Sequence, residues 1–204
     1  MIHRALALAA VALSLGLAGC ITLFPKEAPA QLYRFDVTPP APAAAGAAPF
    51  SVRLLAIDFD EAAAGDQMLT STGDQVAYLA GARWEAPAAR LFDAAVAHGF
   101  DAPENSARLV AAGAAGHSTL RLQLQVTRFE AQYPAGPPGQ APTVVVRMHA
   151  ALIHEKDMTP AGEHVFEASA TAADNHVGSI VQAYDQATSK AVGDLVAWVD
   201  QGGS

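Results

Sequence analysis

Hydrophobic and polar residues alternate most clearly in the second half of the chain. Residues 120–133 predict a strand buried on one face, because their first half carries Leu or Val at every second position with Arg or Gln between. The alternation slips at residues 127–128, so a β-bulge there would return Phe129 to the inner face. Similar patterns at 143–154 and 165–172 follow short polar or Pro/Gly loops. The three segments therefore predict an antiparallel meander.

The first half of the chain alternates less regularly. Residues 31–37 predict a short strand with its aromatic residues and Val37 on one face. Residues 50–59 predict a second strand, with enough apolar side chains for partial burial on both faces. The Pro/Ala-rich residues 38–49 are interpreted as an irregular connection, since too little chain precedes them to fold alone.

A hairpin and a helix are predicted next along the chain. Segments 68–72 and 75–79 flank Gly73-Asp74, a dipeptide typical of a hairpin turn. Pro87 fits the first turn of a helix, where its missing N–H has no cost, and Gly99 lies where a C-cap glycine belongs. The apolar stripe of this helix follows helical spacing: Trp84, Ala88, Leu91 and Ala95.

A long helix from about residue 177 to residue 200 is predicted to close the chain, since mostly apolar residues recur at alternating spacings of four and three. Asp174 or Asn175 is its predicted N-cap. The segment before the meander leaves two interpretations open, a short helix after Asn105 or a short strand at 108–110. Together the elements predict an α+β fold: a single domain with a largely antiparallel sheet and at least two packed helices, including the long C-terminal one.

The first twenty residues predict a lipid anchor. The apolar run over residues 5–17 is too short for a membrane-spanning helix, which needs about 20 apolar residues, but fits the core of a signal peptide. Small residues directly precede Cys20, the only cysteine of the chain. Residues 17–20 therefore resemble the lipobox of bacterial lipoproteins. An ordinary secretory signal is the alternative, but its small-x-small site at residues 28–30 lies far beyond the apolar run.

The lipobox divides the chain into three parts. We expect residues 1–19 to be removed, residues 20–30 to form a lipidated tether, and residues 31–200 to form the domain. Stable anchoring needs more than one acyl chain, which a diacylated or triacylated Cys20 would supply. Ile21, rather than Asp, follows this cysteine. By resemblance to known lipoproteins, that residue implies the outer membrane, with the domain facing the periplasm.

Composition narrows the classes of function. The chain has 204 residues and carries 12 Lys and Arg against 20 Asp and Glu, for a formal net charge of −8. An acidic chain without a Lys/Arg cluster lacks the electrostatic surface with which proteins bind nucleic acid or anionic lipid headgroups. We therefore expect no nucleic-acid partner and attachment to the membrane through the lipid alone.

Candidate catalytic and metal-binding residues are few. Gly116-His117-Ser118 lacks the second glycine and the following helix of a nucleophile elbow. His154-Glu155 and Glu163-His164 could meet across a hairpin, but zinc sites take three or four protein ligands. Carboxylates at residues 58 and 60 end a strand with no partner suggested by spacing. The sequence therefore predicts no catalytic residue, no metal, no cofactor and no enzyme, and Cys20 is the one predicted functional residue.

An ordered set of features, none specific alone, resembles the ABC-type transport auxiliary lipoproteins, the PqiC-like family. The likeness covers nearly the whole chain after the signal, and the Pro/Ala stretch is one departure from it. The features, in order, are the lipobox, Leu32-Tyr33-Arg34-Phe35, the strand at 50–59, Tyr78, Arg83-Trp84-Glu85-Ala86-Pro87, Val126-Thr127-Arg128-Phe129-Glu130, the strand at 143–154 and the C-terminal helix.

The resemblance implies work beside an ABC transporter that contains an MCE-type substrate-binding protein, moving lipids or hydrophobic compounds between the inner and outer membranes. The chain would be an outer-membrane accessory lipoprotein that docks the periplasmic MCE protein, with a ring of several copies among the arrangements implied. Two alternatives stay open. A stand-alone lipid-binding lipoprotein predicts an apolar cavity between sheet and helices. A lipid-anchored periplasmic hydrolase predicts convergent polar groups in a cleft.

Overall fold

The computed structural model describes residues 29–38, 48–103, 105–110, 117–137 and 139–202. The predicted signal, Cys20 and most of the predicted tether lie outside the described residues. Within the described ranges the chain forms nine strands and three helices. The strands are β1 (Gln31–Tyr33), β2 (Phe50–Leu54), β3 (Asp58–Phe59), β4 (Gln67–Thr72), β5 (Gln75–Trp84), β6 (Ala107–Leu109), β7 (Leu120–Tyr133), β8 (Thr143–His154) and β9 (Pro160–Thr171). The helices are α1 (Glu61–Ala64), α2 (Ala88–Phe100) and α3 (Val177–Asp200).

Strands β7, β8 and β9 form the predicted antiparallel meander. The register of β7 against β8 shifts between Val126 and Arg128, which confirms the predicted bulge. Thr127 is the extra residue, so Val126 and Phe129 both point into the core. The hairpin of β4 and β5 is confirmed too, with Thr72 paired to Gln75 across a two-residue turn.

The remaining pairings are parallel and join segments far apart in sequence. β7 pairs in parallel with β2, β3 and β4, whereas β5 pairs in parallel with β1, and β2 with β6. The sheet is therefore mixed, with its longest ladders antiparallel. The predicted fold class is confirmed: a single α+β domain with a long C-terminal helix. Of the two interpretations of the segment before the meander, the strand is confirmed as β6.

Helices α2 and α3 pack on one face of the sheet, called here the inner face. Phe129 lies at the centre of the core, with its ring 4.9–6.3 Å from five other aromatic rings, centroid to centroid. Those rings come from both layers and from the segment after β1: Phe35, Phe59, Trp84, Phe92 and Tyr184. Aromatic side chains therefore fill the space between the sheet and the helices.

The two predicted N-terminal strands are shorter than expected. Residues 50–59 form β2 and β3 rather than one strand, because one extra residue between them interrupts their ladders with β7. β1 ends at Tyr33, after which the chain leaves the sheet and crosses α3. There the backbone N–H of Asp36 donates to Oδ1 of Asp185 at 3.0 Å. Phe35, predicted to lie on one face of a strand, is buried by packing on the core and takes no part in strand pairing.

The predicted ends of both long helices also need correction. Trp84 is the last residue of β5, so it anchors the core from a strand and does not belong to α2. Gly99 lies within α2 rather than at its C-cap, since the helix continues to Phe100. The N-cap of α3 is His176, one or two residues later than predicted. Asp174 instead accepts a hydrogen bond from the backbone N–H of His176 at 2.9 Å.

Candidate functional site

Among the described residues, the face of the sheet opposite the helices, called here the outer face, carries four of the five exposed large apolar side chains. Val165 on β9 is 47% exposed, and Val76 and Tyr78 on β5 are 68% and 44% exposed. Leu32 on β1 is 66% exposed. Strand pairing places all four on this face: Val165 opposite His149, Tyr78 opposite Leu69, Val76 opposite Ser71, and Leu32 opposite Arg83. Exposed apolar side chains indicate an interaction surface only where they lie next to one another, as Leu32, Tyr78 and Val76 do along the β5 edge.

A polar row crosses the middle of the outer face. Asp58, Gln125 and His149 occupy neighbouring positions on three adjacent strands, and Val165 continues the row on the fourth. Nε2 of Gln125 donates to Oδ2 of Asp58 at 2.9 Å, and the ring of His149 hydrogen-bonds Glu163. These are pairwise contacts between exposed or half-buried side chains, and they leave the face accessible.

A cluster of ionic contacts closes one end of the outer face. Nη2 of Arg121 lies 2.7 Å from Oε1 of Glu155, and Nε of Arg53 lies 3.7 Å from Oε2. The hydroxyl of Ser118 donates to the same carboxylate. The hydrogen bonds from Arg121 and Ser118 lower the pKa of Glu155 to about 2. Since the cluster ties β2 and β7 to the turn after β8, its contacts indicate a structural role.

The residues considered for a metal site are separated in the fold. His154 and Glu163 do not meet, because Glu163 lies diagonally across from His149 instead. The ring of His164 packs against that of Phe166 at 4.5 Å between centroids, tilted by 55°, and lies 6.1 Å from the ring of Trp198. Nowhere in the described ranges do three or more His, Cys, Asp or Glu side chains come together as potential metal ligands.

The residues considered for catalysis have other partners. Asp60 caps α1, since its carboxylate accepts a hydrogen bond from the backbone N–H of Ala62 at 2.9 Å. Asp58 points instead toward Gln125. Ser118 is bound to Glu155, and Gly116 lies outside the described residues. Among these contacts the hydroxyl of Ser118 does meet a carboxylate, but the pKa of Glu155 is lowered to about 2, so that carboxylate is a weak general base.

A groove of about 410 Å³ lies on the helical side of the molecule. Phe35, Val37 and Ala95 form its apolar floor, and an ion pair between Arg34 and Glu85 at 3.4 Å lies at its rim. The groove is open to solvent rather than enclosed between sheet and helices. Sequence reasoning missed it, because Val37 and α2 are separated by about fifty residues and no local pattern links them.

Comparison with known families identifies the chain. A family model described as the ABC-type transport auxiliary lipoprotein component matches residues 33–196. The chain belongs to this family. The match begins within β1 and ends within α3, so it covers every strand and helix between them. The resemblance to the ABC-type transport auxiliary lipoproteins is therefore confirmed.

Solved structures share the fold of this auxiliary lipoprotein. A Xanthomonas campestris protein of the family designated DUF330 superposes with a TM-score of 0.73 at 19% identity, over 84% of this chain and 96% of that one. A Chlamydia trachomatis hypothetical protein superposes with a TM-score of 0.53 at 7% identity, over 75% of this chain and 96% of that one. None of the curated proteins matches this chain.

Family membership establishes a coarse role, a lipoprotein component auxiliary to ABC-type transport and associated with the cell envelope. Among the described residues, no helix is long and apolar enough to cross a membrane. Cys20, the predicted lipidation site, lies outside the described residues and stays a prediction.

Proposed function

We propose that this auxiliary lipoprotein is anchored in the outer membrane through a lipidated Cys20 and docks a periplasmic MCE-type substrate-binding protein of an ABC transport system. The system would carry lipids or hydrophobic compounds between the inner and outer membranes. The match of the family model over residues 33–196 is the observation that carries this proposal. In this proposal residues 1–19 are the removed signal, residues 20–30 the tether and residues 31–200 the domain.

The outer face is the surface we assign to the MCE protein. It leaves the middle of β7, β8 and β9 accessible, whereas α2 and α3 cover the inner face. Arg147 lies on this face, paired with Glu167 at 3.6 Å, and its side chain is 45% exposed. A mixture of exposed apolar side chains and such surface charges is typical of non-obligate protein interfaces.

A non-enzymatic role is part of the proposal. Asp58 and Asp60 have structural partners, and Ser118 donates to Glu155, a carboxylate whose pKa of about 2 makes it a weak general base. The filled interior gives no support to a stand-alone carrier, which would hold its ligand between sheet and helices. Aromatic residues around Phe129 occupy that space.

Copurification tests the proposed partner. The tagged lipoprotein is isolated from membranes in mild detergent and its partners are identified by mass spectrometry, for the wild type and for Cys20→Ser. We expect the wild type to recover an MCE protein with its permease and ATPase, and Cys20→Ser to lose or weaken that recovery. Wild-type protein recovered without any MCE protein would contradict the proposal.

A charge reversal tests the proposed surface. Arg147→Glu breaks the pair with Glu167 and leaves a second, uncompensated carboxylate beside it on the outer face, so it should reduce recovery of the MCE protein about tenfold if this face is the interface. Lys190→Glu is the matched control, since Lys190 is a surface cation on α3 paired with Asp194 at 2.8 Å. Equal recovery with both variants would place the docking surface elsewhere on the molecule.

A further inference from the structure

Three of the exposed apolar residues form a strip along one edge of the outer face. A row here means residues paired with one another across neighbouring strands. Leu32 lies in the row of Arg83 and Gln67, Tyr78 in the row of Leu69, and Val76 in the row of Ser71. These rows are two residues apart along β4, while an irregularity of three extra residues on β5 separates the row of Arg83 from that of Tyr78. The strip therefore runs across this irregularity from β1 toward the tip of the β4–β5 hairpin. The strip is defined as Leu32, Tyr78 and Val76.

The strip lies beside an open strand edge. On one side β5 pairs with β4, and on the other it pairs with β1 only at residues 82–84. Among the described residues no strand pairs with the second edge of residues 75–81, most of which are exposed. Exposed strand edges with apolar side chains are surfaces that proteins normally cover.

The direction of the chain indicates what covers the strip. Because β1 runs parallel to β5, the chain enters Gln31 from the side on which residues 75–81 lie. Cys20 is nine residues before Pro29, the first described residue. At the largest reach of a chain, ~3.6 Å per residue, these nine residues span about 30 Å. A lipid anchor on Cys20 would therefore hold the strip close to the bilayer, on the side where the chain enters the domain.

We propose that the strip of Leu32, Tyr78 and Val76 rests on the surface of the membrane that holds the anchor. This inference rests on the lipidation of Cys20 that belongs to the proposed function. Aliphatic side chains and the ring of Tyr78 suit the boundary between headgroups and acyl chains, where amphipathic aromatic residues are enriched. The chain is acidic, with a formal net charge of −8, so the contact relies on apolar side chains rather than on anionic headgroups.

The contact would orient the domain. With the β5 edge on the membrane, the opposite edge of the sheet, β9, points toward the periplasm, and the middle of the outer face is directed sideways along the membrane, where it stays accessible. The anchored lipoprotein would therefore present β7, β8 and β9 to a partner that arrives from the inner membrane. A lipid tether alone would leave the domain free to rotate.

Tryptophan fluorescence tests the membrane contact. The lipoprotein purified from membranes is reconstituted into phosphatidylcholine vesicles whose acyl chains are brominated, and bromine quenches tryptophan that reaches the acyl boundary. Val76→Trp is compared with Val165→Trp, its matched control, because both valines are exposed on the outer face at opposite edges of the sheet. Trp84 and Trp198 are buried and give the same background in both variants.

We expect the added tryptophan of Val76→Trp to shift to shorter wavelength and lose about half its emission, as for a residue inserted shallowly at the interface, which is 5–10 Å deep. Val165→Trp should show neither change. Equal quenching of the two variants, or quenching of neither, would overturn the proposal. A shift for Val76→Trp in Cys20→Ser protein kept free of detergent and vesicles would also overturn it, since a second copy or the tether would then cover the strip.

The anchor and the strip are tested separately. Intact mass spectrometry of the purified lipoprotein shows whether Cys20 carries acyl chains. Should it carry none, the thiol of Cys20, the only one in the chain, is coupled to a maleimide-bearing phosphatidylethanolamine in the same vesicles. Quenching of Val76→Trp in the coupled protein would support the strip although natural lipidation fails, and its absence there would overturn the strip.

Discussion

Gly99 lies in α2 where this helix meets α3, and its replacement by alanine measures how closely the two helices approach. A Cβ atom at Gly99 would lie 2.6 Å from Cγ1 of Val192 and 3.4 Å from Cγ2 of Val196. Carbon atoms in contact prefer about 3.5–4.0 Å, so the first distance is short by about 1 Å. Val192 is fully buried and β-branched, and it therefore cannot rotate away freely.

Two opposing effects determine the magnitude. Overpacking of a core costs about 1–3 kcal/mol, whereas Ala in place of Gly inside a helix gains about 1 kcal/mol. Gly99→Ala should therefore lower the free energy of unfolding by up to about 2 kcal/mol. In a Val192→Ala background the contact at 2.6 Å is gone. There the same change should stabilise the protein by about 1 kcal/mol.

Urea denaturation followed by circular dichroism measures this difference on four proteins: wild type, both single variants and the double variant. We expect a coupling energy of about 1–3 kcal/mol between the two sites. A C-cap glycine with positive φ would give another result, because Ala would then cost about 1–2 kcal/mol whichever residue occupies position 192. Additivity within about 0.5 kcal/mol would refute the close approach of the helices.

Two further changes test the core and the ionic cluster. Phe129→Ala removes a ring that contacts five others and should lower the free energy of unfolding by about 3–5 kcal/mol. Phe129→Leu should lower it by less. Urea denaturation measures both variants, and equal small effects would contradict the packing around Phe129. Because the folded-state pKa of Glu155 is lowered to about 2, its stabilising effect is present above its ordinary pKa and is lost as the pH falls toward 2. Glu155→Gln should therefore be less stable than wild type at neutral pH and equally stable near pH 2, as measured by thermal denaturation at a series of pH values. A stability difference that stays constant with pH would contradict the lowered pKa of Glu155. The control is Glu167→Gln, which removes a carboxylate paired with Arg147 on the same face.

Local periodicity was sufficient for the meander and the last helix. Alternation over residues 120–133 predicted both the strand β7 and its bulge, because a one-residue slip in a period of two is visible in the sequence. The bounds of β8 and α3 also agree with their predicted segments. The lipobox at Cys20 is likewise a local pattern, so it can be recognised from the sequence whatever fold the rest of the chain adopts.

Tertiary structure alone decided which distant segments meet. The parallel pairs of β7 with β2 and β4 join residues more than fifty positions apart, and no periodicity within either segment selects its partner. The sequence around Gly99 is typical of a helix end, but Gly99 lies inside α2, where its lack of a Cβ atom allows the close approach of α3. The open outer face follows for the same reason. Alternation within a strand shows that one face is buried, whereas only the packing of α2 and α3 determines that the other stays uncovered.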